Sequence, residues 1–112
     1  MKKDSYVYID DIYESIQAIK AYTHDLSKEK FLNSSEKQDA VYRRIEIIGE
    51  AANRLPDDFR VANPEIPWYK IIGMRNSLIH EYDNIDLDRV WETIKRDIPE
   101  LELQIIEILK SS

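Results

Sequence analysis

The chain contains no cysteine, which excludes disulfide bonds and thiolate metal sites. It has only 2 glycines and 4 prolines, so few sharp turns are expected. No apolar run approaches the roughly 20 residues that a membrane-spanning helix needs, and the segment after Met1 lacks the apolar stretch of a signal peptide. We therefore expect a cytoplasmic protein that has no membrane segment, in keeping with its lack of cysteine.

The chain also has fewer basic residues than acidic ones. The 16 Lys and Arg residues face 22 Asp and Glu residues, which gives a net charge of -6. Broad nonspecific binding to duplex DNA relies on a basic surface, so this balance argues against it. The same balance leaves room for a small, locally basic cleft and suits docking to a basic protein partner.

Apolar residues recur at spacings of three and four along most of the chain, which is the pattern of amphipathic helices. The first helix is predicted to begin at Asp4 or Ser5. Ser35 and Gln38 fit a capping box that starts the second helix, and Pro56 ends it. The predicted buried stripes of these two helices are Ile9, Ile12, Ile16 and Ile19, and Val41, Ile45, Ile48, Ala52 and Leu55.

Two segments are predicted to be irregular. Segment 26–34 is polar, with Phe31 and Leu32 as its anchor onto the core. Segment 56–67 is broken by prolines, and its last residue, Pro67, is well placed as the first residue of a third helix.

The rest of the chain is predicted to form two further helices. Asp86 is placed as an N-cap. Pro99 breaks or kinks the helix that follows, because it lacks an N–H group and clashes one turn back. The whole chain, 1–112, is therefore predicted to be a single all-α domain, a compact bundle of four to five helices.

The segment from Met74 to Tyr82 carries the most chemistry. It places Arg75, Asn76, His80 and Tyr82 within eight residues, and His80 is one of only 2 histidines in the chain. RNA carries a 2′-hydroxyl that can attack its own phosphodiester. A histidine can move the proton, and an arginine can hold the phosphate oxygens without a metal ion. This combination favours metal-free phosphodiester chemistry.

Helix geometry complicates this interpretation. Residues five apart on an α-helix are rotated by about 140° and separated by about 7.5 Å along the axis, so Arg75 and His80 do not share a face. Asn76 and His80 do share one. Three arrangements would bring Arg75 to the site: a long side chain that wraps, an irregular helix, or a second subunit. Gly73 would permit either of the last two.

Other residues have plainer interpretations. A single arginine and a single histidine on one helix are, by themselves, more often surface or capping residues. Gly49 lies inside the second predicted helix, where glycine costs about 1 kcal/mol relative to alanine. Close approach of a neighbouring helix would compensate for that cost.

The context of the motif resembles the HepT-like branch of the HEPN superfamily, and the similarity covers nearly the whole chain. The residues that carry it are Ile66-Pro67-Trp68, Ile71-Ile72-Gly73-Met74-Arg75-Asn76, Leu78-Ile79-His80-Glu81-Tyr82, Ile85-Asp86 and Val90-Trp91, with further similarity at Arg44-Ile45, Ile48-Gly49-Glu50-Ala51 and Asp97-Ile98-Pro99-Glu100-Leu101.

The resemblance implies a HEPN-type helical bundle that forms two-fold homodimers, with the arginine and histidine in a cleft between subunits. It implies a metal-independent endoribonuclease toxin that acts on RNA (tRNA or mRNA) and needs no cofactor. Arg75 would then contact the scissile phosphate, His80 would be the acid and base, and Asn76 would support them.

The resemblance also implies a partner. In such systems the antitoxin is a minimal nucleotidyltransferase (MntA-like), which uses ATP to adenylylate the motif tyrosine. Here that residue is Tyr82, which would become O-AMP-tyrosine. An AMP group two residues from His80 would add negative charge and bulk where RNA must enter.

Two other functions remain open. The acidic charge balance favours a non-catalytic helical adaptor or nucleotide-binding module that docks on a nucleotidyltransferase. A purely structural helical dimer is also compatible, with Arg75, Asn76 and His80 forming a satisfied interface network.

Overall fold

The computed structural model describes residues 4–111, apart from the side chain of Tyr82, and this part of the chain is helical with no strand. The helices are α1 (Ser5–Thr23), α2 (Lys28–Leu32), α3 (Ser35–Arg54), α4 (Asp57–Ala62), α5 (Trp68–His80), α6 (Leu87–Glu92) and α7 (Ile98–Lys110), with a 3-10 turn at Tyr82–Asn84 and a π-helical turn at Thr93–Asp97. The predicted all-α bundle is confirmed.

Helix α3 lies at the centre of the bundle. It packs against α1 on one side and α5 on another, and α1 also packs against α7. The stripes predicted for α1 and α3 are buried, as are four residues of α7: Ile9, Ile12, Ile16, Ile19, Val41, Ile45, Ile48, Ala52, Leu55, Ile98, Leu101, Ile105 and Ile108. Because full burial of such a side chain contributes about 1.5–3 kcal/mol, these stripes hold the bundle together.

A polar clasp joins the surfaces of α1 and α7. The Glu102 carboxylate accepts hydrogen bonds from Gln17 Nε2 at 2.6 Å and from Lys20 Nζ at 2.9 Å. The bond from Lys20 has the larger effect, and together the two bonds hold the pKa of Glu102 below its ordinary value. Burial acts in the opposite direction and raises that pKa.

The predicted linker 26–34 contains the short helix α2. Phe31 is fully buried and its ring lies 5.4 Å from that of Trp91, so the predicted anchor is confirmed. The capping box was wrong: Ser34, not Ser35, caps α3 by accepting from the Lys37 backbone N–H.

Gln38 also departs from the predicted capping box. Its side-chain amide donates to the carbonyl oxygens of Phe31 and Leu32 at 3.0 and 3.2 Å. The end of α2 therefore holds this side chain, which would otherwise reach back to the start of α3.

The second segment predicted to be irregular contains helix α4. The ring of Phe59 meets that of Tyr6 edge-on at 6.3 Å. Pro67 directly precedes α5 as its N-cap, one position before the predicted one. Trp68 is buried, and its Nε1 donates to the Asn63 carbonyl at 3.1 Å, which fixes the start of α5.

Pro99 distorts the last helical segment without ending it. The chain widens into the π-helical turn at Thr93–Asp97, and Pro99 is the second residue of α7, which continues directly from that turn. Asp86 caps α6 as predicted, because its carboxylate accepts from the Arg89 backbone N–H at 3.2 Å.

Candidate functional site

Helix α5 carries the predicted site residues. It runs without a break from Trp68 to His80, which is its last residue, and the Glu81 N–H closes it by donating to the Ser77 carbonyl at 2.8 Å. Tyr82 begins the 3-10 turn that follows. The hydroxyl predicted to be modified lies outside the described residues.

Arg75 is half-buried between α3 and α5. A Cβ atom built on Gly49 would fall 2.2 Å from Arg75 Cβ and 2.8 Å from Arg75 Cγ. The predicted close approach of a helix at Gly49 is therefore confirmed. A glycine inside a predicted helix is a signal that can be seen in the sequence, whereas its neighbour Arg75 is known only from the fold.

The guanidinium group of Arg75 turns toward Asn76. Its Nη1 donates to Asn76 Oδ1 at 2.9 Å. Asn76 is exposed and lies on the same helical face as His80. Helix α5 is continuous between Arg75 and His80, so the irregular helix is wrong, while the wrapped side chain and the second subunit stay predictions.

His80 is exposed in the last turn of α5. In the part of the chain that the structure describes, it forms no hydrogen bond with Asn76. The imidazole is therefore open to solvent and to a ligand.

One face of α5 is exposed along its length. Tyr69, Gly73, Asn76 and His80 follow one another at spacings of four, three and four, and all four are exposed. We call these four residues the α5 stripe. Tyr69 is 85% exposed, and nothing lies within 4 Å of a Cβ built on Gly73. An exposed surface with open space at its centre can receive a second macromolecule.

An apolar cavity lies on another side of α5. It measures about 300 Å³ and opens between α3, α5 and α7, with Glu65, Glu100 and the Lys70–Asp97 ion pair (3.3 Å) among its polar residues. Carboxylates repel phosphate groups, so this cavity does not suit RNA. Arg75, Asn76 and His80 are not part of its lining.

Between residues 4 and 111, without the Tyr82 side chain, no cluster of three His, Asp or Glu side chains is placed to hold a metal ion. Among the helices described here, none combines the length and the apolar character needed to span a membrane.

The family model for the ribonuclease HepT-like family matches residues 12–108. This match covers most of the chain, including α5 and the residues that carry the motif.

The chain belongs to the ribonuclease HepT-like family.

Curated relatives agree with this membership. The chain is 46% identical over 98% of its length to a gamma-glutamylcyclotransferase and putative RNase of Methanocaldococcus jannaschii, but it spans only 50% of that protein. It is 43% identical over 91% of its length to a probable ribonuclease HepT of Thermococcus cleftensis, covering 93% of that relative. A putative RNase of Caldanaerobacter subterraneus subsp. tengcongensis is 40% identical, with 92% of each chain covered. No solved structure gives a significant match.

Proposed function

We propose that this chain is a metal-independent endoribonuclease and the toxin of a toxin–antitoxin pair. The observation that carries the proposal is the Arg75–Asn76 pair next to the open imidazole of His80, on the exposed face of α5 in a member of the ribonuclease HepT-like family. The names of the relatives, which describe ribonucleases, support the substrate class.

In the proposed reaction, His80 takes the proton from a ribose 2′-hydroxyl, and the oxygen attacks the adjacent phosphorus. The bond from phosphorus to the 5′-oxygen of the next nucleotide breaks, and that oxygen receives a proton from the imidazolium or from water. Arg75 holds the non-bridging phosphate oxygens. The products are a 2′,3′-cyclic phosphate and a 5′-hydroxyl end.

Two kinds of catalysis contribute to the rate of the proposed reaction. Proton transfer by a positioned histidine contributes about 10²–10⁴-fold in rate. A fixed donor that faces developing negative charge contributes about 10²–10³-fold. Arg75 supplies the positive charge that a metal ion supplies in other nucleases, so we propose that none is needed.

We also propose that the active form is a homodimer that shares its site between subunits. Arg75 and His80 lie about 140° apart around a continuous helix, and Asn76 bridges only part of that gap. The α5 stripe supports this arrangement, because its open centre at Gly73 permits close approach of a second copy.

The proposed partner is a minimal nucleotidyltransferase that acts as the antitoxin. The tyrosine oxygen of Tyr82 would attack the α-phosphorus of ATP, forming O-AMP-tyrosine and releasing pyrophosphate. Since the residue directly follows the C-cap of α5, the added charge and bulk would lie beside His80 and exclude RNA.

The modification has its own test. Incubation with the nucleotidyltransferase and ATP should add the mass of AMP to a peptide that contains Tyr82, and Tyr82→Phe should abolish the gain. Tyr69→Phe serves as a matched control, since this exposed tyrosine lies at the other end of α5. Mass found on a different tyrosine would contradict the assignment.

The catalytic proposal is tested by cleavage of RNA by the purified protein with EDTA present. We expect Arg75→Ala and His80→Ala each to lower the rate at least about 10²-fold. Equal activity in all three proteins would overturn the roles of these two residues, and full loss of activity on addition of EDTA would overturn metal independence.

A second candidate is a non-catalytic adaptor that docks on a nucleotidyltransferase, and the net charge of -6 favours it. This alternative predicts tight binding of the nucleotidyltransferase, no RNA cleavage, and no effect of His80→Ala on that binding.

A further inference from the structure

Helix α3 approaches α5 closely at a glycine. A Cβ atom on Gly49 would lie 2.2 Å from Arg75 Cβ, 2.8 Å from Arg75 Cγ and 3.4 Å from the Ile71 carbonyl oxygen. Carbon atoms pack at about 3.5–4.0 Å. The aliphatic part of Arg75 therefore occupies the space that any other residue at this position would fill.

Conformational freedom does not explain this glycine. Gly49 lies inside a regular helix, and neither glycine of the chain has a positive φ angle. Glycine is unfavourable within a helix relative to alanine. The second glycine provides a contrast, because a Cβ on Gly73 would meet nothing within 4 Å. The space taken up by Arg75 is the physical reason for glycine at position 49.

We propose that Gly49 is a positioning residue for Arg75. The α3 backbone holds Cβ and Cγ from one side, and Asn76 holds the guanidinium group from the other through a 2.9 Å hydrogen bond. Because both ends of the Arg75 side chain are held, its conformation is fixed before substrate binds. Less conformational entropy is therefore lost when it contacts the phosphate. The proposal rests on the proposed function of Arg75.

The wild-type protein provides the first test. NMR relaxation of arginine side-chain Nε–H groups should show Arg75 to be ordered, with an order parameter above about 0.6, and the exposed Arg43 to be flexible, below that value. Equal mobility of the two side chains would overturn the proposal.

The second test is Gly49→Ala. The new methyl group requires α5 to move by more than about 1 Å, and a displacement of that size costs about 10²-fold in rate. We expect kcat for RNA cleavage to fall by this factor and the Nε resonance of Arg75 to shift, with helical circular dichroism retained. Asn53→Ala, an exposed position on the same helix, should change neither property.

A double-mutant cycle separates positioning from simple damage to the fold. In an Arg75→Ala background, alanine keeps its Cβ atom, so the clash with a Cβ at position 49 remains. The guanidinium group is absent, so its position no longer affects the rate. Because the displaced helix still carries His80, Gly49→Ala should then cause a further loss of kcat, but a much smaller one than in the wild-type background. Losses that multiply in the double variant would overturn the proposal.

The two proposals fail in different ways. If the wild-type protein does not cleave RNA, the proposed function fails. The relaxation measurement and the Nε resonance of the Gly49→Ala variant then decide by themselves whether Gly49 positions Arg75.

Discussion

Arg75 shows at the scale of single residues what the sequence predicts and what only the fold reveals. Its spacing from Asn76 and His80 follows from the helical pattern, and so does the angular mismatch with His80. The direction of its side chain does not follow. That direction depends on Gly49, which lies 26 positions earlier in the chain and meets Arg75 only when α3 packs against α5.

Asn76 is the simplest test of the Arg75 geometry. Asn76→Ala removes the 2.9 Å hydrogen bond to Arg75 without removing a group that touches the reacting atoms. A hydrogen bond to a charged group contributes about 1.5–3 kcal/mol, and exposure reduces this value, so we expect kcat to fall about tenfold. Steady-state cleavage kinetics measure the change.

Ser77→Ala is the matched control, because Ser77 is the next exposed polar residue on α5. Its kcat should equal that of the wild-type protein. A loss of only twofold or less in Asn76→Ala would show that the hydrogen bond does not orient Arg75.

At the scale of helices, the long amphipathic segments are predictable, and two short helices, α2 and α4, are not. The stripes of α1 and α3 extend over many turns, so their period is clear in the sequence. Helices α2 and α4 have five and six residues, too few for a periodic signal or for stability alone. Buried Phe31 and the contact of Phe59 with Tyr6 hold them in place.

The cap of α3 was missed for a related reason. Ser34 and Ser35 are equally good N-caps by type, so local sequence does not choose between them. Ser34 is the cap in the structure, and the Gln38 amide donates to the carbonyl oxygens at the end of α2 and does not reach back to the start of α3.

The clasp between α1 and α7 gives a prediction for stability. Glu102→Gln removes the charge but keeps an acceptor for Gln17 and Lys20. We expect the free energy of unfolding at pH 7 to fall by about 1 kcal/mol. Urea unfolding followed by circular dichroism measures it.

The pH dependence of this effect has a definite sign. The folded-state pKa of Glu102 lies below its ordinary value of 4.5, so the carboxylate stabilises the fold above that pH. Its contribution is lost as the pH falls through the folded-state pKa. The difference between the two proteins should therefore shrink in acid.

Glu107→Gln is the control for the clasp. Its carboxylate faces Lys110 at 3.9 Å, and both side chains are exposed, so a change of less than about 0.5 kcal/mol is expected. An equal effect of the two substitutions, or a Glu102→Gln effect that does not change with pH, would contradict the account.

At the scale of the whole molecule, the main question is how Arg75 and His80 meet. One chain carries both, but the regular geometry of α5 keeps them on different sides of the helix. The proposed dimer solves this by pairing Arg75 of one subunit with His80 of the other across the α5 stripe. The helical spacing in the sequence predicts that Arg75 and His80 face different sides of α5. Their pairing depends on an interface between two subunits, which a single chain does not contain.

Mixed dimers test this shared site. A heterodimer of one Arg75→Ala subunit and one His80→Ala subunit keeps an intact Arg75 and an intact His80 on opposite chains. A two-fold dimer has two equivalent sites, so the heterodimer, purified with two tags, should regain about half of the wild-type activity. Activity no higher than that of either variant homodimer would show that each chain supplies its own site.

The most direct measurement for the central claim compares two matched RNA substrates that differ only in a 2′-O-methyl group at the cleaved nucleotide. We predict that the wild-type protein cuts the unmodified RNA in EDTA, leaving a 2′,3′-cyclic phosphate, and that it does not cut the methylated RNA at that position. We also predict that His80→Ala slows cleavage of the unmodified RNA by at least about 10²-fold. Cleavage of the methylated position, or a His80→Ala rate equal to that of the wild type, would contradict the account.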